Sequence, residues 1–275
     1  MIYLVTACLE LFTNEVYQIT TVEESLKLLE PLSIVGLDTE TEGFDPYTNK
    51  LKLLQLGCYD FQVVIDCETI DIQLYKSYLE SDRLFLGWNL KFDLKFLFRH
   101  HIVLKKVFDG FLAEKLMWLG YPPGIHSLSL KTAGETYCNI ELDKTVRGKI
   151  HYAGLATDVI EYSANDVKYL ETIMNKQKEE LAKKGLLVAI EYENKFVLPL
   201  AYCEYCGVKL DIDKWKAKMA KDQTRVANAL ANCNKWLIEN EPNSPYIFID
   251  RQGDLFTGFN LEPQVTLNWN SAKQL

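Results

Sequence analysis

The chain has 275 residues, of which 48% are hydrophobic and 25% are charged, proportions that are typical of a globular protein. Its 30 basic and 38 acidic residues give a formal net charge of −8. That balance excludes a broadly basic surface, so any contact with nucleic acid should be local and metal-assisted. The apolar N-terminal segment has no basic leader and is interrupted by Glu10, which favours a cytoplasmic location without a membrane span.

Strand and helix patterns alternate through the first two thirds of the chain. Strands are predicted at residues 1–6, 16–20, 33–40, 50–59, 61–67 and 84–88, with a hairpin across Asp60. Thr21 and Glu24 form a capping-box pattern that begins a helix ending at Pro31. Further helical patterns cover residues 71–82, 90–101, 108–120 and 157–184. A strand-rich start covered by helices predicts an α/β or α+β fold.

The composition changes near residue 185, where we place a domain boundary between residues 1–185 and 186–275. Two long helical patterns follow at 186–207 and 213–240, and residues 245–258 are typical of a hairpin that turns at Gly253. The last third is therefore predicted to be a largely helical extension.

Acidic residues stand at alternate positions where the third strand pattern ends. Asp38, Glu40 and Glu42 follow the apolar residues of "SIVGL", and side chains two apart on a strand share one face at roughly 7 Å. One interpretation is a strand that runs into solvent with hydrated acids. The other is a divalent cation between Asp38 and Glu40, since hard cations favour carboxylate oxygens. The second interpretation requires more carboxylates from elsewhere in the chain.

Two later segments supply such carboxylates. Asp93 lies in the apolar helical pattern "LKFDLKFLF", just after Asn89. Tyr162 and Asp166 are four residues apart, which places them on one face of a helix. Each signal is weak as evidence for a metal site when taken alone. Asp93 could equally be a solvated helix residue, and Tyr and Asp frequently share a helix face without any functional role.

Taken together, the D-x-E, N-x-x-x-D and Y-x-x-x-D patterns resemble the three motifs of the DEDD exonucleases of the DnaQ-like superfamily, in the subclass with Tyr in the third motif. The segments "GLDTETEGFDP", "GWNLKFDLKFL" and "YSANDVKYL" are similar to the proofreading domains of family A DNA polymerases over about residues 30–175. "VFDGFLAEKLM" and "IELDKTVRG" resemble connecting segments of the same enzymes. The resemblance implies a ribonuclease H-like mixed sheet flanked by helices, and a 3′–5′ exonuclease that releases nucleoside monophosphates from single-stranded DNA ends.

The resemblance also implies a role for each motif residue. Two Mg²⁺ ions, for which Mn²⁺ should substitute, would serve the attacking hydroxide, the phosphate charge and the leaving 3′ oxygen. Asp38 is expected to bridge both ions, with Glu40 and Asp166 completing the first site. Asp93 is expected to hold the second ion, and Tyr162 to orient the attacking water.

Substrate contacts are implied for three more positions. Phe44 aligns with an apolar residue that wedges against the terminal bases, and its alternative is a turn residue packed on the core. Asn89 and Lys91 match positions near the substrate strand. Trp88 stands where a polar residue is frequent, so no contact is assigned to it.

The C-terminal third resembles the start of a family A polymerase. "ENKFVLPLAYCEYCGVKLDIDKW" is similar to the helix and turn between exonuclease and polymerase domains, and "LNWNSAKQL" to a Ser-Pro-Lys-Gln-Leu segment near the start of the polymerase domain. Palm and fingers are missing, so no polymerase activity is expected from this chain alone. The polymerase domain would be a partner in cis or as a separate chain, and the N-terminal segment looks phage-like, which implies the host cytoplasm.

Two rival functions remain at this point. A ribonuclease D-type enzyme that trims RNA uses the same motifs, although the polymerase-like last third argues against it. A catalytically silent domain that only grips DNA is the second rival, although the presence of all four carboxylates and the tyrosine argues against it.

Overall fold

The computed structural model describes residues 1–8, 11, 13–122, 124–141, 154–249 and 262–274. It contains two compact units, Met1–Gly207 and Val208–Leu275. The first unit extends beyond the predicted boundary at residue 185, because the helix Leu187–Cys206 packs on it through buried Ile190 and Val197. The assignment of the two parts as an exonuclease domain and a polymerase-linked extension stays a prediction.

A seven-stranded mixed sheet forms the centre of the first unit. Its strands in chain order are β1 (Ile2–Val5), β2 (Tyr17–Thr20), β3 (Ile34–Thr41), β4 (Leu51–Gly57), β5 (Gln62–Asp66), β6 (Leu84–Gly87) and β7 (Lys106–Asp109). The spatial order is β2-β1-β5-β4-β3-β6-β7. Strand β4 is antiparallel to β3 and β5, and the other neighbouring pairs are parallel.

Helices cover both faces of this sheet. They are α1 (Val22–Leu29), α2 (Lys76–Leu79) after a 3-10 turn at Ile72–Tyr75, α3 (Lys91–Arg99), α4 (Gly110–Met117), α5 (Leu130–Ala133) continuing into a π turn at Gly134–Cys138, α6 (Thr157–Lys168), α7 (Leu170–Lys183) and α8 (Leu187–Cys206). Helices α1 to α3 pack with Leu37 and Leu54 on one face. Helix α6 packs with Leu53 and Val64 on the other. The predicted fold class, a mixed sheet flanked by helices, is confirmed.

Two sequence-based assignments are wrong in detail. Residues 106–109 form edge strand β7, and the helix predicted from residue 108 begins only at Gly110. Val107 and Phe108 are buried on opposite faces of the sheet, so this strand lacks the alternation that marks a half-buried one. The helix predicted over 157–184 is interrupted at Tyr169, where φ is −102° and ψ is −1°. Asp166 therefore lies in the last turn of α6.

In its described residues, the second unit contains one long helix and a small antiparallel ribbon. Helix α9 (Ile212–Asn240) is followed by β8 (Ile247–Ile249), which pairs with β9 (Pro263–Val265). The predicted turn at Gly253 and most of the "IELDKTVRG" segment lie outside the described residues. Among the helices that the structure describes, none is long and apolar enough to cross a bilayer.

Gly36 is the position at which α6 lies directly against the sheet. A Cβ atom on Gly36 would lie 2.6 Å from the carbonyl oxygen of Val167 and 3.2 Å from that of Gly57. Both atoms belong to the backbone, so no side-chain movement could make room. Gly36 shares its face of β3 with Asp38 and Glu40. The close approach therefore brings the end of α6 next to the acids of β3.

Substitution of Gly36 by Ala tests this contact. We expect Gly36→Ala to lower the free energy of unfolding by about 1–3 kcal/mol, because the added methyl forces α6 away from β3. Affinity for divalent cations should fall as well, since Asp166 moves with α6. Thermal denaturation and a metal titration check both effects. A variant with wild-type values in both would show that the close approach is dispensable.

Candidate active site

Three carboxylates converge where β3 meets α6. Oxygen atoms of Asp38, Glu40 and Asp166 lie within 4.8 Å of one another, and all three residues are half-buried. Like charges at this spacing repel unless a cation lies between them. Three carboxylate ligands with room for water and phosphate fit Mg²⁺, which retains part of its hydration shell in most protein sites. The cluster can therefore hold a divalent cation, whereas Glu42 is exposed at the end of the strand.

Asp93 lies in the same cleft but is held differently. It is 3% exposed, in the first turn of α3, and its Oδ1 accepts a hydrogen bond from the Thr39 hydroxyl at 2.5 Å. Burial raises the pKa of Asp93, and the hydrogen bond from Thr39 opposes that rise. Thr39 stands between Asp38 and Glu40 on β3, so one strand carries two of the acids and orients a third. Thr39 is not predictable as a site residue from the sequence, because a threonine in a strand gives no functional signal.

Tyr162 lies one turn before Asp166 on α6 and lines the cleft. Burial, together with the charges of Asp166 and Glu40, raises the pKa of its phenol well above the usual range. A hydrogen bond to Asp166 contributes to the same shift. The phenol therefore stays protonated at neutral pH, so Tyr162 can donate a hydrogen bond but cannot serve as a general base.

Asp109 organises the turn that carries Asp93 into the cleft. Its carboxylate accepts hydrogen bonds from the amides of Asn89 at 2.8 Å, Leu90 at 2.9 Å and Phe111 at 3.0 Å. Asn89 has a φ of +63°, a left-handed conformation that Asn tolerates better than most residues. Burial raises the pKa of Asp109 to about 6, and the amide hydrogen bonds oppose that rise. Asp109 is not among the predicted site residues, although Asp before a helix is an N-cap signal.

The predicted substrate residues have different surroundings. Phe44 is 86% exposed, lines the cleft and contacts Phe92 edge to face at 6.2 Å, so it is not packed in the core. Asn89 is exposed and lines the cleft as well. Lys91 is not one of the described residues that line the cleft, and it pairs with Glu204 of α8 at 2.6 Å. The substrate roles of these residues stay predictions.

Trp88 forms a fixed wall of the cleft. Its indole N–H donates to the carbonyl oxygen of Leu128 at 3.0 Å. Its ring lies so close to Gly110 that a Cβ there would be 2.7 Å from a ring carbon. Trp88 therefore presents an apolar ring to the cleft, with its one polar group already bonded to protein.

Gln55 lies buried beside the acidic cluster. It is the cross-strand partner of Asp38 in β4 and is 0% exposed. Within the described part of the chain, neither its Nε2 nor its Oε1 has a hydrogen-bond partner. A buried amide without partners costs about 1–3 kcal/mol of stability, and such groups in native proteins call for an explanation. The register of the two strands therefore places this unsatisfied buried amide next to Asp38.

The family comparison agrees with this constellation. Residues 13–182 match the model of a family described as 3′-5′ exonuclease. The chain belongs to this exonuclease family. The resemblance drawn from the three motifs is thereby confirmed at the level of the family, and the chain carries a nuclease domain that hydrolyses phosphodiester bonds.

A polymerase is among the relatives of this exonuclease domain. The chain is 30% identical over 229 residues to DNA polymerase I of Aquifex aeolicus (strain VF5). The matched region covers 74% of this chain and 38% of the polymerase. It thus spans well under half the length of that curated relative.

Solved structures share the fold at lower identity. Escherichia coli RNase D, an exoribonuclease involved in structured RNA processing, superposes with a TM-score of 0.58 at 23% identity, over 71% of this chain and 51% of RNase D. Brucella melitensis NrnC with bound Mg²⁺ gives a TM-score of 0.56 at 20% identity, over 75% of this chain and 93% of NrnC. These likenesses show a common fold and leave the substrate open.

Replacing Gln55 by Leu should separate stability from activity. We expect Gln55→Leu to raise the free energy of unfolding in EDTA by about 1–3 kcal/mol, because two unpaired buried groups disappear. Its rate with metal should fall, since Asp38 loses a polar neighbour. Gln177→Leu is the control: this buried amide also has an Oε1 without a partner among the described residues, but its Nε2 donates to Gly110 at 3.0 Å and to Glu114 at 2.9 Å, so its loss should destabilise. A Gln55→Leu variant with wild-type rate would remove Gln55 from the site.

Proposed function

We propose that the chain is a metal-dependent 3′–5′ exonuclease that hydrolyses single-stranded DNA ends to nucleoside monophosphates, as the proofreading part of a family A DNA polymerase. The observation that carries this proposal is the convergence of Asp38, Glu40 and Asp166 in a cleft that also holds Asp93 and Tyr162. The 30% identity to a DNA polymerase I supports DNA over RNA.

The donor set of the cleft fits divalent cations. Asp38, Glu40 and Asp166 would hold one ion, and Asp93 with Asp38 would hold a second. When bound, two such ions make a hydroxide available and neutralise charge at the phosphate and at the leaving oxygen. Oxygen ligands favour Mg²⁺, with Mn²⁺ able to replace it, and the related fold of NrnC has been solved with Mg²⁺.

Residues around the acids would act on the water and the strand. The protonated phenol of Tyr162 would turn its one O–H from Asp166 to the attacking water, and so orient that water, once the Asp166 carboxylate holds an ion. Thr39 keeps Asp93 in position, as Asp109 does through the turn at Asn89. Phe44 and Phe92 offer ring faces and edges to the terminal bases, and stacking of this kind tolerates any sequence, as a proofreading enzyme requires.

The same proposal implies a partner domain and a cellular location. A polymerase domain would work with this chain either in cis or as a separate chain, in the cytoplasm or, for a phage protein, in the host cytoplasm.

Labelled oligonucleotides test the proposed function. The full chain and the Asp38→Ala, Glu40→Ala, Asp93→Ala and Asp166→Ala variants are incubated with 5′-labelled single-stranded DNA or RNA, with and without Mg²⁺. We expect a shrinking DNA ladder only with wild-type protein and metal, because each carboxylate is needed to hold the ions. Shortening of RNA alone would favour the ribonuclease D-type rival. Metal binding without hydrolysis of either strand would favour the silent domain.

Tyr162→Phe removes the phenolic hydroxyl and keeps the ring. We expect the single-turnover rate to fall by about 10 to 10³, because a group that orients water beside two metals contributes at or below the low end of acid–base catalysis. Metal and single-strand affinities should stay within about threefold. Melting temperature is measured on the same preparation. A destabilised variant with wild-type rate would assign Tyr162 a purely structural role.

A further inference from the structure

Glu204 of α8 lies between two lysines of α3. Its Oε1 is 2.6 Å from Lys91 Nζ, and its Oε2 is 3.5 Å from Lys95 Nζ. The three side chains are partly exposed, at 38%, 35% and 23% for Glu204, Lys91 and Lys95. The hydrogen bond from Lys91 lowers the pKa of the Glu204 carboxyl, so this group is ionised at neutral pH. One carboxylate thus occupies the space in front of two ammonium groups.

Lys91 and Lys95 lie on one face of α3, and the neighbouring face of the same helix lines the cleft. Consecutive residues of an α-helix are rotated by about 100°, so Phe92 stands between Asp93 and Lys91 around α3. Asp93 and Phe92 line the cleft, and Phe92 contacts the exposed ring of Phe44. Lys91 therefore stands about 100° around α3 from Phe92, on the face next to the one that bases in contact with these rings would meet.

The chemistry of the three groups fits a phosphodiester. A carboxylate that accepts hydrogen bonds from ammonium groups offers the same charge and the same kind of acceptor as a backbone phosphate. Exposed ion pairs contribute little to stability because solvent screens them. A phosphate can therefore replace Glu204 in front of Lys91 and Lys95 without a large loss in folding stability.

We propose that Lys91 and Lys95 form a binding site for a backbone phosphate of the single-stranded substrate, and that Glu204 occupies this site in the free protein. The proposal rests on the proposed function, because the ligand is the strand whose end is hydrolysed. An incoming strand must displace Glu204, so this residue weakens single-strand binding. Helix α8 thereby controls a part of the substrate path to which the motifs contribute Lys91 but neither Lys95 nor Glu204.

Glu204→Gln tests the displacement, with Glu191→Gln as the matched control. Glu191 lies on the same helix and pairs with Lys195 at 2.6 Å, so both variants lose one negative charge and a close pair with a lysine of the same length. Binding of fluorescein-labelled oligo(dT) and oligo(rU) is measured in EDTA over a range of KCl concentrations. We expect Glu204→Gln to bind about 3 to 10 times more tightly than wild type, and the slope of log affinity against log salt to steepen by about 0.7 for one more phosphate contact. Glu191→Gln should bind like wild type.

A second set of variants distinguishes an effect through the two lysines from a general effect of the protein's net charge. In the Lys91→Gln/Lys95→Gln protein, Glu204→Gln should give no gain in affinity. Equal affinities for Glu204→Gln and Glu191→Gln, or a gain that persists without the lysines, would overturn the inference while leaving wild-type hydrolysis intact. If the wild-type protein neither binds nor hydrolyses either oligonucleotide, the proposed function is wrong, and the proposed phosphate site is then wrong as well.

Discussion

The contact between Gly36 and the backbone of Val167 is the constraint on which the acidic cluster depends. Helix α6 lies on β3 at a distance that excludes even a β-methyl group. Asp166 is the residue before Val167, and Asp38 is two residues after Gly36 on the same face of the strand. Backbone packing thus brings together carboxylates that repel one another, and the hydrophobic contacts of Val159, Ile160 and Ala164 under α6 offset that repulsion.

Several polar groups around the cleft are held at a cost to stability. Asp93 and Asp109 are buried carboxyls with raised pKa values, and Gln55 is buried without partners in the described part of the chain. Buried polar groups of this kind are destabilising unless they are fully hydrogen-bonded. Their concentration in and beside the cleft is typical of a site selected for chemistry rather than for packing.

Helix α8 connects the outer parts of this site. Its Asn194 accepts a hydrogen bond from the amide of Asp109 at 2.8 Å, and Asp109 in turn holds the turn at Asn89. Its Glu204 pairs with Lys91. A helix predicted as a mere connector therefore contacts both the residue that positions α3 and the proposed phosphate site on α3. Displacement of α8 would alter the catalytic side and the substrate side of α3 together.

The sequence by itself determined most strands and helices and the three motifs, because hydrophobic periodicity and the spacing of Asp38, Glu40, Asp93, Tyr162 and Asp166 are local properties of the chain. It missed strand β7, whose two buried faces remove the alternating pattern. Only the tertiary structure decided that Asp109 holds the turn at Asn89, that Gln55 lies unpaired beside Asp38 and that Glu204 covers Lys91. Each of these depends on side chains from separate elements meeting in space, and periodicity along one segment carries no information about which distant segment packs against it.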